Sequence, residues 1–125
     1  MRDLKAISII IYIKLVNKTK NTILTEDVYE AKNFKDRMLG LLDQSKPRSM
    51  VFSTRFGIHT FAMSEAIDIL VLNDLGTVVK LKHSLPPNTF FFWKPRYQRV
   101  IELPAGSLIS SGTVVGDVVA VEYQR

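Results

Sequence analysis

The chain has 125 residues, 46% hydrophobic and 23% charged, an ordinary globular composition and about one domain's worth of length. It has no cysteine, which excludes disulfide scaffolds, thiolate nucleophiles, iron–sulfur clusters and cysteine-ligated zinc. With His59 and His83 as its two histidines, a zinc site would need carboxylates to complete it, and nothing in the sequence calls for a metal or another cofactor. The net charge of +5 is unevenly spread: residues 1–20 carry +4, residues 80–100 carry +5 without a single acid, and the remainder carries −4.

Arg2 and Lys5 followed by Ala6 to Ile13 have the outline of a secretory signal. Lys14-Leu15-Val16-Asn17-Lys18 follows, however, in place of a small-residue cleavage site. The run also falls far short of the ~20 apolar residues that span a bilayer. Ile7, Ile9, Ile11, Ile13 and Leu15 alternate onto one face, which predicts a strand and a cytoplasmic protein; export or anchoring through residues 6–13 is the alternative.

After the polar turn Lys18–Asn21, residues 22–29 read as a second strand antiparallel to the first. Asn33 is a good helix N-cap with Asp36 in the first turn, and Phe34, Met38, Leu41 and Leu42 form one apolar stripe, so a short helix is predicted at about 33–43. Pro47 stops it. Strands are then expected at Met50–Phe52, Ile58–Met63 and Ile67–Leu72, the last pairing with Thr77–Lys82 through the turn Asn73-Asp74-Leu75-Gly76. In that return strand Val79 and Leu81 are expected to face in, and Val78, Lys80 and Lys82 out. Arg99–Leu103 is a further strand, Ser107–Ser111 a turn or short helix, and Asp117–Tyr123 the last strand. About eight strands and one edge helix, without βαβ alternation, predict a mainly β domain: an antiparallel β-sandwich or a closed β-barrel.

Asp68 shares a strand face with Leu70 and Leu72, so it enters an apolar row. A carboxylate there is either a general base or ligand anchor, or a structural group tying down backbone N–H groups or an arginine. His59, with Phe61 and Met63 on its face, is separated from the Asp68 strand by a short connection that could bring the two together. Arg37 sits at the edge of the helix stripe, where it could snorkel outward or reach Asp68 or Glu102. The stretch Ser84–Gln98 sets Phe90, Phe91, Phe92, Trp93 and Tyr97 among Lys94, Arg96 and Arg99. Five of the chain's twelve aromatics fall there, a mixture that suits base stacking with phosphate neutralisation, sugar stacking or an acidic partner. Four consecutive exposed aromatics would invite aggregation, so at least half are expected to be buried.

Four blocks resemble one known family. Ala31-Lys32-Asn33-Phe34-Lys35-Asp36-Arg37-Met38-Leu39-Gly40-Leu41-Leu42 resembles the "A…R..GLL" helix of the domain of unknown function 192, also called uncharacterised protein family 0127. His59-Thr60-Phe61-Ala62-Met63 followed by Ile67-Asp68-Ile69-Leu70-Val71-Leu72 is similar to its "HTFFM…PID…L" block. Glu102-Leu103-Pro104-Ala105-Gly106 and Val115-Gly116-Asp117-Val118-Val119 are similar to its "ELPAG" and "GD.V" blocks. The resemblance covers about residues 15–122 and implies a mainly β domain found in bacteria and archaea, of no established biochemical role. This chain departs from the pattern at Ser64, where the family has a basic residue, at Ala66, where it has a proline, and at Ala62, where an aromatic is common. An anion held through that basic residue would here need Arg37 or the 80–100 cluster.

Together these features point to a non-enzymatic binding module for a small polar or anionic ligand or a partner segment. Its expected site residues are Arg37, His59, Thr60, Met63, Asp68, Trp93 and Arg96, with the 84–97 loop as a lid. The alternatives are a small hydrolase or lyase using Asp68 or His59 as general base, and a single-stranded nucleic-acid binder acting through residues 84–99.

Overall fold

The computed structural model describes residues 12–31, 49–61 and 63–124. The predicted helix at 33–43 with Arg37, most of the 6–13 run, and Ala62 lie outside the described residues. Among those described, the order is β1 (Tyr12–Asn17), β2 (Thr22–Thr25), β3 (Val28–Glu30), β4 (Ser49–Ser53), β5 (Gly57–His59), β6 (Ile67–Leu72), β7 (Val78–Leu85), β8 (Phe90–Phe92), β9 (Arg99–Pro104), α1 (Ser107–Ser111) and β10 (Val119–Gln124).

The centre of the fold is β6. Its run Ile-Asp-Ile-Leu-Val-Leu is buried at every position, as a strand covered on both faces must be. It lies between β9 and β7 in a five-stranded sheet of order β3-β4-β9-β6-β7. Alternation sends its side chains into two clusters. Leu70 and Leu72 pack with Leu15, Leu24, Ile101, Leu103, Leu108 and Val119, beneath a three-stranded sheet β10-β1-β2 and helix α1. Ile67, Ile69 and Val71 pack on the other face with Met50, Phe52, Ile58, Trp93 and Val100, beneath a two-stranded ribbon β5-β8. Each fully buried aliphatic side chain here contributes about 1.5–3 kcal/mol relative to exposure. The result is a mainly β, sandwich-like stack of sheets, none of which closes into a barrel.

Several elements differ from expectation for local reasons. The single second strand is two: the Thr25 hydroxyl bonds the backbone at Asp27, and the exposed Glu26-Asp27 step breaks the run. β2 then pairs antiparallel with β1, whereas β3 crosses to the other sheet and pairs parallel with β4, so that sheet is mixed. In β7 the register jumps from Leu72↔Val78 to Val71↔Lys80, leaving Val79 as an extra, bulged residue. Val78 therefore turns inward to 1% exposure and joins the first cluster, against the outward position expected of it. The hairpin before it is fixed by Asn73, whose side-chain oxygen accepts the N–H groups of Leu75 and Thr77. Gly76 is required there twice over: its φ is +82°, and a Cβ would meet the Val119 carbonyl oxygen at 2.7 Å. The last strand starts at Val119, later than expected, because Asp117 is occupied by a side-chain network.

Two buried carboxylates fasten segments distant in sequence. Asp68, with no exposed surface, accepts the N–H of Ser84 at 2.8 Å on Oδ1, and those of Gly106 at 3.1 Å and Leu108 at 3.0 Å on Oδ2. It thereby joins β6 to the end of β7 and to the start of α1. Asp117 accepts from the Asn17 side-chain amide, the Lys20 ammonium and the Val114 N–H, while the Asn17 amide also donates to Thr113. These bonds, those from Asn17 and Lys20 first, hold the Asp117 carboxyl down at about 2, against an ordinary 3.8.

Replacing Asp68 by alanine would leave three N–H groups without an acceptor and is expected to cost about 3–5 kcal/mol in urea unfolding. Asp68→Asn, which keeps one acceptor oxygen, should cost about 1–3 kcal/mol. An Asn variant as stable as the parent would show that the carboxylate is not a structural clasp. For Asp117 the folded state binds its proton less readily than the unfolded chain does, so its contribution is complete above about pH 4 and fades as the pH falls toward 2. The stability gap between the parent and Asp117→Asn should therefore close across that window, as followed by thermal unfolding at stepped pH.

Candidate functional site

The expected grouping of His59 with Asp68 does not form. Asp68 points into the first cluster, on the α1 side of the sheet, and all its bonds go to backbone N–H groups, so it has no access to a substrate proton. Of the two roles its sequence position allows, the structural clasp is the one observed, and the backbone rather than an arginine supplies the donors. His59 lies in the outer ribbon on the opposite side, half-buried, and its Nδ1 accepts the Phe61 N–H at 3.3 Å.

Thr60 is fully buried and acts as a clamp. Its hydroxyl donates to the Pro86 carbonyl at 2.6 Å and accepts the Thr89 N–H at 2.9 Å, and its own N–H reaches the Thr89 carbonyl. Because the Thr60 backbone is committed to this loop, the expected strand to Met63 ends at His59. Met63 packs half-buried against the second cluster. Trp93 is buried, and its indole N–H donates to the Tyr97 carbonyl at 2.6 Å, pinning the 93–97 turn. Arg96 is exposed, with its guanidinium 4.9 Å from the Tyr97 ring centre. Thr60, Met63 and Trp93 thus hold the ribbon from beneath, and are not among the residues lining the cleft on its outer face.

The opening is made by the ribbon's outer face. Pairing of β5 with β8 sets His59 opposite Phe90 and Gly57 opposite Phe92, while Ile58 and Phe91 turn inward. Phe90 and Phe92 are 54% and 60% exposed, with rings 5.6 Å apart and nearly parallel. Phe61 stands edge-on to Phe90 at 4.9 Å and stacks on His59 at 4.7 Å. Gly57 allows the close approach of the two strands: a Cβ there would lie 2.4 Å from the Phe91 carbonyl oxygen. Just before it, Gly57 N–H bonds back to the Arg55 carbonyl around Phe56, whose φ is +74°. This is the rare γ form of a three-residue turn, strained for a side chain as bulky as phenylalanine. Phe56 stands 64% exposed on it. Between this turn and the ribbon runs a cleft of about 220 Å³, lined chiefly by Phe56, Gly57, His59, Phe90 and Phe92, with Ser53 and Thr54 as its polar wall.

Of the expected site residues, only His59 lines this cleft, and Arg37 lies outside the described residues. The residues missed are Phe56, Gly57, Ser53 and Thr54; the step Arg55-Phe56-Gly57 is their signal, an aromatic beside a glycine between two short strands. No group of three or more histidine or carboxylate side chains among the described residues could hold a metal ion, and no helix among them is long and apolar enough to cross a membrane.

The fold recurs in solved structures. A protein of unknown function from Novosphingobium aromaticivorans superposes with a TM-score of 0.69 at 14% identity, over 87% of this chain and 83% of its own. A structure from Sinorhizobium meliloti gives 0.68 at 20% identity, over 90% and 94%. In sequence, the UPF0127 protein of Thermococcus sibiricus is 32% identical over 118 residues, covering 89% of this chain and 76% of the relative. A UPF0127 protein of Pyrococcus furiosus is 32% identical over 109 residues, covering 82% and 93%. The model of the family DUF192, described as an uncharacterized ACR, matches residues 15–121, so the chain belongs to the DUF192 (UPF0127) family.

Proposed function

We propose that this chain is a cytoplasmic, single-domain, non-enzymatic binding module. Its cleft between the Phe56 turn and the β5–β8 ribbon takes the flat apolar part of a small anionic ligand or of a partner segment. The observation that carries this reading is the set of three exposed phenylalanines, Phe56, Phe90 and Phe92, gathered around one concavity, with exposed Phe61 against Phe90 beside it. Apolar side chains scattered singly over a surface need no explanation, whereas a contiguous apolar patch around a recess marks an interaction site. The recess is mostly apolar with a few polar groups, His59, Ser53 and Thr54, which suits recognition of a ring with a polar substituent. Catalysis has little support here. Asp68 is spent on the backbone, and His59 lies among phenylalanine rings.

The reading is tested by amide-resolved NMR titration with small aromatic anions: benzoate, indole-3-acetate and adenosine monophosphate. At least one should shift the Gly57–His59 and Phe90–Phe92 amides together, and at a hundred times its Kd should stabilise the protein by about 2.7 kcal/mol. Phe92→Ala should weaken that binding about tenfold, the scale of one aromatic stacking contact, while leaving the unfolding midpoint nearly unchanged because the ring is mostly exposed. Silence of those amides toward every ring compound would overturn the reading.

A further inference from the structure

We infer that the occupant of this aromatic face is single-stranded nucleic acid, with a base in the cleft and phosphates on the cations around it; the inference rests on the cleft being a binding site. Charge complementarity selects the occupant. In the β10-β1-β2 sheet the cations are matched: Lys14 and Lys18 pair with Glu122, and Lys20 with Asp117. Around the ribbon the pattern is different. Lys80 donates to the neutral Phe92 carbonyl and lies 4.8 Å from the Phe91 ring centre, and Arg55 donates to the neutral Pro95 carbonyl. These bonds hold both cations beside the ribbon and its adjoining turn without cancelling their charge. Lys82, Lys94 and Arg96 are exposed in the same acid-free stretch of sequence.

The aromatic geometry narrows the choice among polyanions. Phe90 and Phe92 occupy successive outward positions of one strand with rings about parallel, 10° apart, and Phe61 and Phe56 flank them. A row of rings offers π-faces to successive bases whatever their identity, and flexible lysines and arginines neutralise phosphates without fixing a sequence. An acidic peptide anchored by one side chain would need one pocket and leave the remaining rings exposed. A bilayer would be met by convex apolar residues, whereas these rings enclose a concavity.

The test is fluorescence anisotropy with a labelled oligo-dT and an oligo-rU of about ten nucleotides, alongside a poly(Glu,Tyr) peptide and phosphatidylserine vesicles. If three phosphates are neutralised, raising NaCl from 50 to 200 mM should weaken oligonucleotide binding about 20-fold. Phe90→Ala and Phe92→Ala should each weaken it about tenfold at fixed salt, whereas Phe92→Tyr should hold it near the parent value. Lys82→Gln with Arg96→Gln should flatten the salt slope. Oligonucleotide binding that ignores the phenylalanine variants would reduce the contact to bulk charge and overturn the inference. So would tighter binding of the acidic peptide or the vesicles, or no oligonucleotide binding at low salt. In those cases small aromatic anions shifting the Gly57–His59 amides would still uphold the cleft as a binding site, so the two readings fail separately.

Discussion

A carboxylate set into the middle of a doubly covered strand is tolerable only when the backbone consumes it, and Asp68 is consumed completely. Its three acceptor bonds reach Ser84, Gly106 and Leu108, segments far apart in sequence that would otherwise present unpaired N–H groups beneath α1. One side chain thus fixes where β7 ends, where the chain turns after β9, and where α1 begins. The first cluster can then stay apolar, because the polar ends of its bounding elements are already satisfied. Asn17 and Asp117 do the same work at the other end of that layer, joining β1 to the loop before β10.

The second layer is held by different means. The β5-β8 ribbon is short, and an isolated two-stranded ribbon is marginal in water. Here it is secured from below by Ile58, Phe91 and Trp93 in the second cluster, and at its ends by Thr60 on Pro86 and Thr89 and by the Trp93 N–H on the Tyr97 carbonyl. With both ends and the inner face fixed, the outer face is a rigid platform. Rigid placement matters for binding, since side chains and loops ordered in advance do not have to be ordered by the ligand.

How much of this was legible in the residues depends on the range of the interaction. The burial of β6, the Asn73–Gly76 hairpin and the helix at Ser107 follow from periodicity and turn chemistry, which are local. The hazard of four adjacent exposed aromatics likewise implied that at least half of the Phe90–Trp93 rings would be core, although the strand that alternates them was not legible in the sequence. The structural reading of Asp68 was one of two that its position allowed, and choosing between them needed Gly106 and Leu108, some forty residues away. The pairing of His59 with Asp68 failed because a short connection between strands does not keep them in one sheet: β5 leaves to pair with β8 in another layer. The parallel β3–β4 pair and the Val79 bulge are decisions of sheet register, carried by partners the local pattern does not name. Phe56 was invisible for a further reason: its importance lies in a strained backbone angle, for which phenylalanine is a poor sequence marker.

That strain and the outward phenylalanines share one implication. A strand over an apolar layer needs large hydrophobes only at its inward positions, and in β8 Phe91 fills that need. The outward positions of Phe90 and Phe92 could be polar with no loss to the core, and polar residues there would lower the hazard of association through an exposed apolar face. The Phe56 position could equally be glycine, which takes positive φ without strain. Three rings at positions where stability does not ask for them, one on a backbone that resists it, contribute nothing that the fold itself requires. Gly57 works from the opposite direction: a residue without a side chain sits across from Phe92, and its bareness lets β8 and the Phe92 ring approach to where a Cβ would otherwise stand. The ribbon is therefore built around what it presents to solvent, while the sheet behind it is built around what it hides.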